Sequence, residues 1–277
     1  PDGRTDYEGT DALPNTPADS IGREFYTYDD LVAAKRITGS NVSFVIPRRN
    51  WTAGTIYDIY RHDYGEYTTG STSVRKTSNS GATTLFDSNF YVLSSARNVY
   101  KCLDNNGGAT STDEPTGVST SVISTNDSYK WKFMYTLSAA QQANFLSTDF
   151  MAVSSNANAS SDQSNVISAA VDGSIDVVKI KTPGSGGTNG TFTGIPIRGD
   201  GSGGVATVVV SGGAVTSVTV TTPGTGYTFA TISNSQIVAA GATSLSGSEL
   251  DVIIPPKGGH GANAQEELGA FFVMMNT

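Results

Sequence analysis

The chain has 277 residues, which is long enough for one large domain or two smaller ones with a substantial core. Its net charge of −8 argues against nucleic acid as a partner, because phosphate binding requires a basic surface. Charged residues make up only 15% of the sequence, so the chain lacks the high charge that keeps disordered proteins unfolded. Gly, Ser, Thr and Asn are abundant instead, which favours short strands joined by many turns. We therefore predict a mostly β fold with a few short helices.

The sequence carries no sign of secretion or membrane insertion. Cys102 is the only cysteine, so no disulfide can form within the chain. No apolar run is long enough for a membrane-spanning helix, and the first residues do not form a signal peptide pattern. We predict no membrane insertion, and we expect the natural chain to continue beyond Pro1 at one end and Thr277 at the other.

Charge is unevenly distributed along the first third of the chain. Residues 1–30 contain eight acidic residues against two arginines, whereas residues 31–105 contain nine Lys or Arg against five acids. Residues 1–27 have no hydrophobic periodicity and are predicted to form an extended acidic arm. Residues 28–37 are predicted to form a helix, because acids open the segment, basic residues close it and Gly39 follows.

The next segment is rich in aromatic and basic residues, and its secondary structure is ambiguous. Tyrosines at spacings of three and four fit a helical face, but the β-branched residues among them favour a strand. Arg, Tyr and Trp dominate protein interfaces, so we predict an interface here; ordinary core packing is the alternative for the aromatic rings. The predicted interface residues are Arg48, Arg49, Trp51, Tyr57, Tyr60 and Arg61.

Strands and one capped helix are predicted in the rest of the first half. Residues 41–46 form a strand that ends at Pro47, and residues 90–93 pair with residues 98–103. Residues 129–137 alternate between bulky and polar side chains with a period of two. One face of this strand is therefore predicted to be packed and the other exposed to solvent. Ser138 is expected to cap a short helix. Residues 28–160 and 249–277 together are predicted to form a discontinuous, β-sandwich-like host domain.

The composition changes abruptly after residue 154. Residues 154–164 are predicted to be a polar linker, and residues 172–248 an inserted Gly/Val/Thr-rich module that folds as a small β barrel or sandwich. The segment 175–186 matches 215–226 at an offset of 40 residues, and each copy is predicted to be a strand closed by a Thr-Pro-Gly turn.

No motif points to catalysis, a cofactor or a metal. Gly199, Gly201 and Gly204 satisfy G-x-G-x-x-G, but a strand-like segment follows, and a dinucleotide site needs a helix there. Arg198-Gly199-Asp200 spells an adhesion tripeptide that chance explains in a Gly-rich turn. His62 and His260 lack the neighbours of a triad, and no zinc or calcium pattern is present. We predict no catalytic, cofactor-binding or metal-ligating residue.

Four ordered blocks of sequence resemble the baseplate wedge subunit of T-even-like contractile-tailed phages and their cyanophage relatives. They are residues 33–61, 98–117 with the phrase "YKC", 129–153 with "YKWKFMY", and 257–275 with "GGHG". The resemblance implies a non-enzymatic, homodimeric, mostly β virion protein. Such a protein would be assembled in the host cytoplasm and held in the tail baseplate by other wedge proteins. The Gly/Val/Thr repeat lies outside the resemblance.

Two other functions are consistent with the composition. A glycan-binding adhesin or receptor-binding tail protein is the first alternative, and it would need exposed aromatic residues in the module. A tail-associated glycosidase is the second, and it would need two carboxylates facing each other across a sugar.

Overall fold

The computed structural model describes residues 31–33, 35–69, 72–76 and 78–276, and residues 43–276 form one compact unit. The predicted acidic arm, residues 1–27, lies outside the described residues. The helix predicted over 28–37 is wrong in its described part, because residues 31–33 and 35–37 are not helical. Among the described residues of this segment, Leu31, Val32 and Ile37 are all exposed, so burial of their side chains adds little to the stability of a helix.

The fold is mostly β, as predicted. In chain order the first strands are β1 (Val42–Pro47), β2 (Gly65–Thr69), β3 (Thr72–Lys76), β4 (Tyr91–Leu93), β5 (Asn98–Asn105), β6 (Ile123–Ser124), β7 (Tyr129–Thr136) and β8 (Phe150–Ala152). The later strands are β9 (Val178–Ser185), β10 (Gly190–Pro196), β11 (Arg198–Gly199), β12 (Val205–Ser211), β13 (Ala214–Thr222), β14 (Ala230–Thr231), β15 (Ser246–Val252) and β16 (Phe272–Met275). The α-helices in the described part of the chain are α1 (Ala139–Phe145), α2 (Ser161–Ala169), α3 (Asn234–Ala239) and α4 (Ala264–Leu268).

A four-stranded antiparallel sheet, in the order β4-β5-β7-β6, lies at the centre of the first half. The predicted pairing of residues 90–93 with 98–103 is confirmed, since Val92 lies opposite Tyr100. The predicted wet face of β7 is wrong: Lys132 is only 6% exposed. The helix α2 covers this part of the sheet, and its Val166 packs in the same apolar cluster as Trp131.

A second, three-stranded sheet has the order β16-β1-β8. The strand β1 confirms the prediction for residues 41–46, and it pairs with β8 through Ile46 and Met151. The predicted cap of α1 is also confirmed, because the Ser138 hydroxyl accepts a hydrogen bond from the Gln141 amide at 3.2 Å.

The Gly/Val/Thr-rich region contains the sheet β10-β12-β13 and the pairs β9-β15 and β11-β14. Its apolar cluster consists only of buried residues between 175 and 254, among them Ile195, Val208 and Ile237. The predicted module boundary at residue 248 falls inside β15. The division into a host and an inserted module stays a prediction.

Two local predictions in this region are wrong. Residues 154–164 are not simply a linker, because the Ser160 side chain accepts from the Gln163 amide and caps α2. The first Thr-Pro-Gly segment does not close its strand either. Pro183 lies opposite Ser248, so β9 continues through the Thr-Pro-Gly segment while it pairs with β15.

Candidate assembly surface and buried charged cluster

The two arginines at the start of the predicted interface bond to backbone of their own chain. Arg48 donates to the Ser147 carbonyl at 2.8 Å. Arg49 donates to the Ser88 carbonyl, and its guanidinium lies 4.7 Å from the centre of the Tyr91 ring. Both side chains are half-buried. The Arg49 contacts hold the start of the segment against the central sheet, and the Arg48 bond connects it to the residues before β8. A role between chains stays a prediction.

The aromatic residues of the same segment lie mainly in the core. Tyr57 and Tyr60 are 3% and 4% exposed, which corrects their assignment to an interface. Tyr57 packs edge-to-face on Trp131 at 5.7 Å. Trp51 is half-buried and its indole N–H donates to the Ser111 hydroxyl at 3.1 Å. In a sequence, a tyrosine is equally typical of an interface and of a core. In this fold both tyrosines are core residues.

Arg61 forms a bridge between distant parts of the chain. Its guanidinium donates to Asp63 and to Asp251, the latter at 3.0 Å across 190 residues of sequence. Arg61 therefore ties the aromatic segment to β15.

An exposed apolar surface occurs elsewhere, on β16 and beside it. We call it the apolar edge, and its members are Phe44, Phe86, Phe271, Phe272, Val273 and Met275. Phe271 is 71% exposed and Met275 61% exposed. Single exposed apolar residues are ordinary, but four exposed large apolar side chains within the run 271–275 are typical of an interaction surface.

The apolar edge is held in place by contacts with the sheet and a neighbouring loop. The Phe271 ring packs edge-to-face on Phe86 at 5.0 Å, and Phe272 packs on Phe150 at 5.4 Å. Gly269 ends α4 with a φ of 70°, and a side chain there would collide with the Phe86 ring. These contacts fix the turn from α4 into β16 and the positions of Phe271 and Phe272.

Among the described strands, β16 has β1 as its only neighbour in the sheet. Proteins commonly protect such an edge with charges, proline or a bulge. Residues 268–276 contain neither a charged residue nor a proline. This stretch therefore has neither charges nor a proline to protect its edge.

The predicted module, residues 172–248, has few exposed groups that could bind a glycan or an adhesion receptor. Of its three aromatic residues, Tyr227 is buried, Phe192 half-buried and Phe229 61% exposed. The Asp200 carboxylate of the adhesion tripeptide accepts hydrogen bonds from the Thr228 amide and hydroxyl and the Phe229 amide. Its oxygens are thus engaged within the turn.

A buried charged cluster lies between the central sheet and α4. The Lys101 ammonium contacts the Glu267 carboxylate, and these side chains are 0% and 2% exposed. The same carboxylate accepts from the amides of Gly261 and Asn263 at 2.9–3.0 Å. The amine is also 4.9 Å from the centre of the Tyr60 ring. This arrangement fastens the "GGHG" loop to β5.

More ionisable groups surround this contact. Lys132 lies directly opposite Lys101 on the neighbouring strand, and its ammonium group donates to the Thr120 carbonyl at 2.5 Å. Burial lowers the pKa of both lysines and raises the pKa of Asp176, whose charge interacts with both. Burial and the two lysines also hold the pKa of His260 well below its usual value, so this histidine is neutral at physiological pH.

Sequence reasoning missed both features. The run 271–275 contains five consecutive large apolar residues, and such a run ordinarily indicates a strand buried on both faces. Lys101 and Lys132 each interrupt an apolar strand, which ordinarily indicates a solvent-facing position. One sequence signal could have indicated the cluster. Both lysines lie among bulky apolar residues, and few acidic residues are near them in the sequence.

No protein-family model, curated protein sequence or solved structure matches the chain. Within the described ranges, no helix is long and apolar enough to cross a membrane. In that same part of the chain, no three His, Cys, Asp or Glu side chains are grouped so that they could hold a metal ion.

Proposed function

We propose that this chain is a structural assembly protein that pairs with a second copy of itself through β16. We further propose that it serves as a wedge subunit in the baseplate of a contractile phage tail. The observation that carries the first part is the apolar edge. The second part is supported by the four ordered blocks that resemble the wedge family.

Backbone chemistry favours a strand as the occupant of this surface. An edge strand exposes a row of N–H and C=O groups, and another strand satisfies them while its side chains cover the apolar ones. A second copy of β16 meets both requirements, because two antiparallel copies related by a two-fold axis present the same surface to each other.

Charge also favours contact at this place. Two copies with a net charge of −8 each repel one another over most of their surfaces. The stretch 268–276 has no charged side chain, so two copies can meet there without bringing like charges together.

Sedimentation of a charge variant tests the dimer. Val273, which is 56% exposed on β16, is replaced by Lys, and Val118, 39% exposed in a loop, receives the same change as a matched control. We expect Val273→Lys to weaken self-association at least about tenfold, because pairing would bury an unpaired charge. Val118→Lys should leave it unchanged.

The two parts of the proposal fail separately. A native protein that is monomeric at all concentrations, or a Val273→Lys dimer as tight as the original, contradicts pairing through β16. Co-expression with the other wedge proteins of a contractile-tailed phage tests the wedge assignment. A stable complex that co-purifies supports it, and the absence of any complex from a chain that still forms dimers contradicts it.

A further inference from the structure

We propose that Lys101 and Glu267 join covalently, forming an amide bond between the lysine Nζ and the glutamate Cδ without any enzyme or cofactor. The bond would connect β5, an inner strand of the central sheet, to α4 near the end of the described chain. It would enclose 166 residues of sequence.

The first argument is the position of the two groups. They are in direct contact, and their side chains are essentially inaccessible to water. A fixed contact between a nucleophile and its electrophile removes most of the entropic barrier to reaction. Exclusion of water favours condensation, since the product is not exposed to hydrolysis.

The second argument is the protonation state of the amine. Only a neutral amine has the lone pair needed to attack a carbonyl carbon. Burial is the largest influence on the pKa of Lys101 and lowers it by disfavouring the ammonium form, although the charges of Glu267 and Asp176 favour that form. The first step of the proposed reaction is transfer of the Lys101 proton to the Glu267 carboxylate across their direct contact, which leaves an amine with a free lone pair beside a carboxylic acid.

The third argument is the set of donors around the carboxyl group. The N–H groups of Gly261 and Asn263 point at its oxygens. When Nζ bonds to Cδ, negative charge develops on one of these oxygens, and backbone donors fixed in this way stabilise it. Gly261 has a φ of 95°, a conformation that favours glycine, so the "GGHG" loop is built to present this N–H.

The atoms balance without a further reactant. The Nζ–Cδ bond forms and one Cδ–O bond breaks. The departing oxygen leaves as water, taking the proton that the carboxylic acid carried and one proton from the attacking amine. No oxidation or reduction takes place. The charge of Asp176 acts on both lysines, so this carboxyl group belongs to the same charged cluster.

Intact mass spectrometry of the purified, unfolded chain is the decisive measurement. We expect a mass lower than the sequence mass by one water molecule. Trypsin should then fail to cleave after Lys101 and should release one branched peptide that joins residues 98–130 to residues 258 onward. A chain of full sequence mass, or a water loss that maps to other residues, overturns the proposal.

Two lysine variants complete the test. Lys101→Arg keeps a positive charge but not the nucleophilic amine, so this variant should have its full sequence mass and should migrate more slowly in a denaturing gel. Lys181→Arg is the matched control, because Lys181 contacts Glu249 at 2.7 Å with both side chains more than half exposed. This control should still lose one water. A Lys101→Arg chain that also loses one water overturns the assignment.

Discussion

Replacement of Tyr227 by Phe tests how the repeat region is held together. The Tyr227 hydroxyl donates to the Ile197 carbonyl at 2.9 Å and accepts from the Gly204 amide at 3.1 Å. The ring is 2% exposed and packs against the glycines of the turn between β11 and β12, where a side chain at Gly201 would collide with it. This one side chain therefore connects the end of the second repeat copy to the Gly-rich turn.

The expected loss follows from two hydrogen bonds in a buried site. Tyr227→Phe keeps the ring and its packing, but it leaves the Ile197 carbonyl and the Gly204 amide without their partner. Each such orphaned group costs about 1–2 kcal/mol, so we expect the free energy of unfolding to fall by about 2–4 kcal/mol.

Urea unfolding followed by far-ultraviolet circular dichroism measures this loss. Tyr64→Phe is the matched control, because the half-buried Tyr64 hydroxyl donates one hydrogen bond, to the Ile59 carbonyl at 2.8 Å. Its loss should be about 1 kcal/mol. A Tyr227→Phe loss no larger than that of the control would show that the two buried bonds do not hold the turn.

Three further outcomes are expected. Burial alone would raise the pKa of Asp127, but surrounding hydrogen bonds outweigh it and lower the pKa to about 2. Between pH 4 and 2 the protein should therefore lose about 1–2 kcal/mol of stability that an Asp127→Asn variant does not lose, as measured by urea unfolding at each pH. His260 stays neutral in the fold and becomes protonated on unfolding, so lowering the pH from 6.5 to 5.5 should reduce stability by about 1 kcal/mol; calorimetry should find this slope absent in His260→Asn and present in His62→Asn. Val178 lies opposite Val252, so a short Gly/Ser linker in place of residues 179–251 should leave a folded remainder. Loss of cooperative unfolding in this shortened chain would show that residues 179–251 are part of one indivisible core.

The elements predicted correctly are those whose local sequence pattern agrees with their tertiary environment. The strand ending at Pro47 and the Ser138 cap depend on a few neighbouring residues, and both are confirmed. The helix α2 was missed because its polar residues have little periodicity, and the Ser160 cap is the local signal that could have indicated it. It is stabilised by burial of Gln163 and Val166 against the rest of the fold, which no local pattern reveals.

The candidate sites depend on contacts between distant parts of the chain. Lys101 and Glu267 are brought together only when α4 packs on the central sheet. Tyr57 and Tyr60 are typical of an interface by residue type, but type alone does not distinguish an outer surface from an inner one. The exposure of Phe271 likewise depends on which strands lie beside β16.

The position of β16 at the edge of its sheet has a mechanical consequence. If two copies pair there, β8, β1 and β16 of one copy continue into the same strands of the other as a single hydrogen-bonded ladder. In such a ladder, regularly spaced backbone hydrogen bonds would join the two copies in addition to their side chains. A rotation imposed on one copy would then be transmitted through these backbone hydrogen bonds to its partner, and the two copies would rotate as one rigid body.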